Sequence, residues 1–297
     1  MTHGTPRLAR GAGGALPAAP ACVESTRGPE ERSARSSGIV GILGGMGPLA
    51  TVDFMRKMLE ATPAATDQEH IPVVVSSIPQ VPDRTAAFRG EGESPLDAMI
   101  ASGRRLAAAG AGVVVVPCNT AHLWFDELEQ ALGLPMLHLV DAAIAEALDR
   151  VPADGKVGLL ATDATLASGL YLNRASPDGR RVRWLLPTAS EMLDLVMPGI
   201  ADVKAGALAS AAQRLAKAAQ ALRARGARAI VLGCTEIPLV LDAAAAGAPV
   251  IDATAALARR AVAWAQAPQR GDGSESVSGI DVRRGIQDGR GRRGSGR

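Results

Sequence analysis

Two stretches of the chain follow one plan. Gly38-Ile-Val-Gly-Ile-Leu43 is matched by Gly155-Lys-Val-Gly-Leu-Leu160. Gly110-Ala, five residues and Pro-Cys118 are matched by Gly226-Ala, five residues and Gly-Cys234. Val40 to Cys118 is 78 residues and Val157 to Cys234 is 77. After each cysteine come a polar pair, a helical stretch, and a proline, an apolar run and an aspartate: Pro135 to Asp141, then Pro249 to Asp252. Several segments in one order at nearly equal spacing argue for an internal duplication. A duplicated unit folds into two equivalent halves, so whatever sits at a given place in one half has a counterpart in the other.

Each half reads as short apolar runs alternating with helical stretches. Strands are expected at 39–43, 73–78, 113–117, 136–139, 156–161, 182–186, 229–232 and 249–251. Most are continuous runs of Val, Ile and Leu, the pattern of strands covered on both faces. Pro48 suits the first position of a helix. A second helix is expected from about 202 to 225, with Leu208, Leu215 and Leu222 on one stripe and Gly226 as its stop. Strand–helix alternation predicts an α/β fold: two similar parallel-sheet, flavodoxin- or Rossmann-like three-layer domains related by pseudo-twofold symmetry. The expected division is a leader over 1–37, a first domain over 38–143 holding Cys118, a second over 144–268 holding Cys234, and a basic tail over 269–297. The final helix, near 254–265, is free to return to the first half. Aromatic residues make up only 2% of the chain, so the core must be built from Ala, Val and Leu.

Charge narrows the function classes. The chain is +2 overall, while the leader and tail carry +2 and +3, which leaves about −3 for the part between them. The basic character belongs to Gly-, Ser- and Arg-rich ends without stacking aromatics, which read as solvated and disordered. A mildly acidic core gives no electrostatic reason to bind nucleic acid. No stretch approaches 18 uninterrupted apolar residues, so no membrane-spanning helix is expected, and no secretory h-region stands near the N-terminus. Three cysteines, Cys22, Cys118 and Cys234, cannot form a disulfide framework, and a reducing cytoplasm is the expected compartment. Cys22 has no equivalent in either half and receives no role.

Cys118 and Cys234 each end an apolar run and precede a helical stretch. Ligands of parallel sheets bind outside the carboxyl ends of the strands, so two facing halves would set the thiols on opposite walls of a cleft. A thiol at a helix N-terminus is expected to have its pKa drawn from about 8.5 toward neutrality. One thiolate and one thiol on opposite faces of a tetrahedral carbon can remove a proton from one side and return one from the other, inverting the centre with no cofactor and no metal. The bland alternative, two small buried hydrophobes, sits poorly with the polar pairs Asn119-Thr120 and Thr235-Glu236 that follow. Cys118, His122 and Cys234 could converge on zinc, but no CxxC or HxxxH spacing supports it. Asn119, Thr120 and Thr235 could hold a carboxylate with the nearby backbone N–H groups or simply cap helices. Met46 and Gly47 lie in a Gly-rich turn that lets backbone approach a ligand.

These residues resemble those of the aspartate/glutamate racemase superfamily, most closely its aspartate racemase branch. The matching segments are Gly41-Ile-Leu-Gly-Gly-Met-Gly-Pro-Leu-Ala-Thr51, Ile78-Pro-Gln-Val-Pro-Asp-Arg-Thr85, Pro117-Cys-Asn-Thr-Ala-His122, Leu159-Leu-Ala-Thr162 with Ser168-Gly-Leu-Tyr171, and Gly233-Cys-Thr-Glu236. They span about 38–265. The resemblance implies a cofactor-independent amino-acid racemase, aspartate as substrate, Cys118 and Cys234 as the acid/base pair, and a homodimer. Under it, Arg84 is the candidate for the side-chain carboxylate, since guanidinium pairs bidentately with carboxylate. Gln80 is a lesser candidate in the same loop. Thr162 and Thr165 end the first strand of the second half within reach of ligand, and Glu236 is placed to orient Cys234 or touch substrate. His122 could tune Cys118 or hold its own loop. The family pattern has a basic residue soon after the Ser-Gly-x-Tyr turn; here Arg174 stands one place later, so either Arg174 takes that role with a shifted geometry or the substrate preference is altered. The alternatives are a racemase of glutamate or other amino acids, a dicarboxylate isomerase or decarboxylase of the same superfamily, and a silent binding protein using the cleft.

Overall fold

The computed structural model describes residues 38–267. The leader, Cys22 and the basic tail lie outside these residues. Among the described residues eight strands form, β1 Val40–Gly44, β2 Val73–Ser77, β3 Val113–Val115, β4 Met136–Leu137, β5 Lys156–Ala161, β6 Arg183–Leu185, β7 Ala227–Gly233 and β8 Val250–Asp252. They build two four-stranded sheets in the orders β2-β1-β3-β4 and β6-β5-β7-β8. All six pairings are parallel. The second order is the first with four added to each number, as a duplication requires. The α/β class and the paired parallel sheets are those expected.

The helices are α1 Pro48–Ala61, α2 Arg84–Phe88, α3 Leu96–Ala108, α4 Phe125–Leu132, α5 Leu139–Arg150, α6 Asp163–Ala167, α7 Ala189–Glu191, α8 Met197–Lys204, α9 Leu208–Ala224, α10 Ala243–Ala246 and α11 Ala253–Gln266. The helix expected over 202–225 is two. Gly206 takes φ +80, a left-handed conformation that ends α8 and restarts the chain as α9. Leu208, the first residue of α9, is exposed rather than core, while Leu215 and Leu222 are fully buried.

One core serves both sheets. Val40, Ile42 and Val115 of the first sheet and Leu159, Val231 and Ile251 of the second join one cluster with Phe54 of α1, Ile144 of α5 and Leu257 of α11. Helices α1, α5 and α11 therefore form a layer common to both halves. The outer faces have separate cores, with Met99, Leu106 and Leu128 behind the first sheet and Val203, Leu215 and Leu222 behind the second. α11 returns to α1 through a buried charge cluster: Lys57 Nζ pairs with Asp53 and Asp252 and donates to Thr254 Oγ1 at 2.8 Å. Gly45, at φ +94 after β1, is required, because a Cβ there would meet the backbone of Ile78 at 2.4 Å.

Candidate active site

Four equivalent strand ends meet at one small chamber. Met46 follows β1, Cys118 follows β3, Thr162 follows β5 and Cys234 follows β7, and all four line it. Asp83, Arg84, Thr85, Asn119, Thr120, Lys204, Thr235 and Glu236 complete the wall. Its volume is about 20 Å³. A wider space of about 550 Å³ lies alongside and shares Asp83, Arg84, Lys204 and Glu236 with it. Leu49, Val203 and Leu239 give that space an apolar wall, and Gly47 lines it too.

The two thiols are buried and differ in surroundings. Cys234 Sγ–H donates to Glu236 Oε2 at 2.9 Å, and Thr235 Oγ1–H donates to the same oxygen at 3.3 Å. Burial, and next the charge of Glu236, push the Cys234 thiol well above its ordinary range. The expected lowering by a helix dipole fails here. Only a single 3-10 turn, Ile237–Leu239, follows this cysteine, too short to offset burial beside a carboxylate. Lys204 acts the other way on Cys234, drawing its pKa down.

The turn carrying Cys118 is fastened from beneath. Leu139 N–H donates to His122 Nε2 at 3.1 Å, so the proton of the neutral ring sits on Nδ1 and is donated to Cys118 O at 2.8 Å. Burial drives the His122 pKa down to about 4, and burial lowers His138 beside it as well. His122 thus holds its own loop, and Cys118 Sγ is not its partner. Among the described residues no group of three or more His, Cys, Asp or Glu forms a metal site.

Polar groups are left waiting in the chamber. Buried Tyr171 donates its O–H to Asn119 Oδ1, which fixes the amide and leaves Nδ2 buried and without a partner. Arg84 spends Nη1 on Val81 O and Pro82 O, while its buried Nε has no partner. Asp83 caps α2 by accepting from Thr85 and Ala86 N–H at 2.9 Å. Burial would raise the Asp83 pKa, but the Ala86 N–H and the charges of Lys204 and Arg84 outweigh it and hold it low. Thr120, Thr162 and Thr165 form a ring of hydroxyls at 2.9–3.1 Å that joins the halves under the chamber.

Three expected ligand residues are placed elsewhere. The Arg174 guanidinium forms a bidentate pair with Asp141 and is absent from the chamber wall. Gln80 is exposed and lines neither space. Thr165 is fully buried beneath the wall, holding the two threonines that do line it. Conversely, Lys204 and Asp83 line the site without having been expected. A lysine in the last turn before Gly206 is a helix-end signal, and Asp before Arg-Thr is an N-cap signal.

Comparison with known proteins decides the family. The profile described as Asp/Glu/Hydantoin racemase matches residues 43–261. The chain belongs to the Asp/Glu/hydantoin racemase family. An aspartate racemase structure from Picrophilus torridus is 32% identical and superposes with a TM-score of 0.68, covering 76% of this chain and 94% of that one. The broad specificity amino-acid racemase RacX of Bacillus subtilis is 28% identical over 225 residues, 73% of this chain and 94% of its own length. An aspartate racemase homologue of Pyrococcus horikoshii shares the fold, with 22% identity, a TM-score of 0.60 and coverage of 77% and 99%. The racemase family and its aspartate branch are thus supported, as is the class of enzyme, an isomerase that works on amino acids without pyridoxal phosphate.

Proposed function

We propose that the chain inverts the α-carbon of aspartate, interconverting its L and D forms by two-base proton transfer between Cys118 and Cys234. The observation that carries this reading is the shared chamber: two buried thiols at duplicated strand ends, one of them held as the thiol by Glu236. Arg84 and Lys204 supply two positive charges for a substrate with two carboxylates. Asn119 Nδ2 and the hydroxyls of Thr120, Thr162 and Thr235 supply preorganised donors for the α-carboxylate, which becomes more electron-rich as the α-proton leaves. The resting acid is Cys234. Its S–H delivers a proton to one face of the α-carbon while Cys118, as thiolate, takes the α-proton from the other. The product leaves Cys118 as thiol and Cys234 as thiolate, the arrangement for the reverse reaction.

A wider substrate range is the second reading. The 550 Å³ space beside the chamber gives room for glutamate and other side chains longer than that of aspartate. The outward face of α1 favours a homodimer, since Leu49, Val52, Met55 and Leu59 form one exposed apolar stripe. A mechanism that needs both thiols reduced suits the cytoplasm.

Incubation of the protein with L-aspartate in D₂O, without added cofactor, tests the reaction. The expected result is deuterium at the α-carbon and loss of optical activity, both abolished to within about a thousandth of wild type in Cys118→Ser, because a serine hydroxyl is a poor base near neutral pH. A fully active Cys118→Ser variant removes the two-thiol mechanism. No exchange with aspartate, glutamate or alanine removes the racemase reading.

A further inference from the structure

The chamber holding the thiols is too small for any amino acid. A volume of about 20 Å³ accommodates a single water, whereas aspartate has nine non-hydrogen atoms. Something must move before substrate can lie between Cys118 and Cys234. The wall contributed by 83–85 belongs to α2, a short helix packed against α6 and the turn Thr120–Trp124. The polar bonds of α2 and its approach are largely internal: Asp83 caps the helix, and Arg84 bonds Val81 O and Pro82 O. The segment can therefore shift as a unit without breaking them. On its far side Gly90 holds φ +74, and the Gly90 and Glu91 N–H groups close back onto Ala87 O and Ala86 O, so this turn also moves with the helix. Between the helix and that turn, Arg89 makes an ion pair with Asp163, the first residue of α6 in the opposite half, and a looser one with Glu91 at 3.8 Å. Both partners are partly exposed, at 43% and 34%.

We propose that α2 is a hinged cover over the two thiols, latched shut across the cleft by Arg89 and Asp163 in the substrate-free enzyme. Neither latch residue lines the chamber, so the pair governs access without touching the reacting atoms. Closure also sets Arg84, five residues before Arg89, against the bound ligand. An exposed pair of this kind is easily broken, which suits a device that opens once per turnover.

The test reads thiol accessibility and needs no turnover, so its outcome is separate from that of the racemase reading. Full-length protein is treated with iodoacetamide, and the alkylation rates of Cys118 and Cys234 are followed by peptide mass spectrometry. Arg89→Gln and Asp163→Asn are each expected to raise both rates about two- to fivefold. The asparagine retains the oxygen that accepts from Ala164 N–H at 2.8 Å, so α6 still starts normally. Raising the salt to about 1 M is expected to bring wild type to the level of the variants and leave the variants unchanged. The exchanged pair, Arg89→Asp with Asp163→Arg, is expected to restore the slow rate. Single variants that react at the wild-type rate overturn the latch, and so does an exchanged pair that reacts as fast as the singles.

Discussion

His122 works only as a neutral ring. It must accept from Leu139 N–H through Nε2 while donating from Nδ1 to Cys118 O, and a second ring proton would turn the acceptor into a donor facing a donor. Burial accordingly depresses its pKa from 6.5 to about 4. Between those values the unfolded chain binds a proton that the native chain refuses. The stabilisation is therefore complete above pH 6.5, falls as the pH drops toward 4, and is gone below it. The size is about 3 kcal/mol, from 1.36 kcal/mol for each pH unit of separation. Thermal melts from pH 8 to pH 4 are expected to show a steeper loss for wild type than for His122→Gln, which donates and accepts without titrating. The comparison with the variant removes the carboxylates that also titrate at the acid end. Parallel losses in the two proteins would mean that His122 does not carry this linkage.

Among the elements, the join between α8 and α9 shows where sequence reading stopped. Apolar runs marked most of the strands, because a strand covered on both faces has no choice but to be apolar. The break at Gly206 was hidden inside an alanine-rich stretch whose leucine stripe runs on across it. Missing the break hid Lys204 as well, since a lysine in mid-helix points to solvent and one in a last turn can reach a site. Arg174 failed for another reason: chain spacing cannot reveal that Asp141, 33 residues earlier, takes its guanidinium. The thiols and Asn119 were legible because the duplication and the resemblance each marked them, and Arg84 because the resemblance marked its loop. A Cβ at Gly206 meets nothing within 4 Å, so Gly206→Ala suffers only the left-handed backbone penalty. That penalty is about 1 kcal/mol, or a fall in melting temperature of roughly 2–4 °C. Asparagine tolerates this conformation better, so Gly206→Asn is expected to melt closer to wild type. The displaced end of α8 is expected to raise the KM for aspartate in the alanine variant. An alanine variant as stable as wild type would show that the break is not held by the glycine.

For the whole molecule, α1 is the element that faces both ways. Its inner face enters the core common to both sheets and carries Lys57, whose side chain is 8% exposed and whose ammonium sits between Asp53 and Asp252. Its outer face carries Val52 and Leu59, which are 62% and 57% exposed. The two faces predict separable failures. Lys57→Met strips the cation from two carboxylates that were buried around it, and breaking such a cluster by removing one partner costs about 3–5 kcal/mol. Arg56 also pairs with Asp53, which places the expected loss near the lower end, and it falls on the joint between α1 and α11 and hence on the whole fold. Val52→Asp combined with Leu59→Asp removes no buried contact. It places charge on the stripe assigned to a second copy, so light scattering is expected to report half the wild-type mass while circular dichroism keeps its native shape. A dimer also gains stability by mass action, so the wild-type melting temperature should rise with protein concentration and that of the double aspartate variant should not. Wild type that scatters as a monomer at every concentration, or a double variant that stays dimeric, would remove α1 from the interface while leaving its inner role intact.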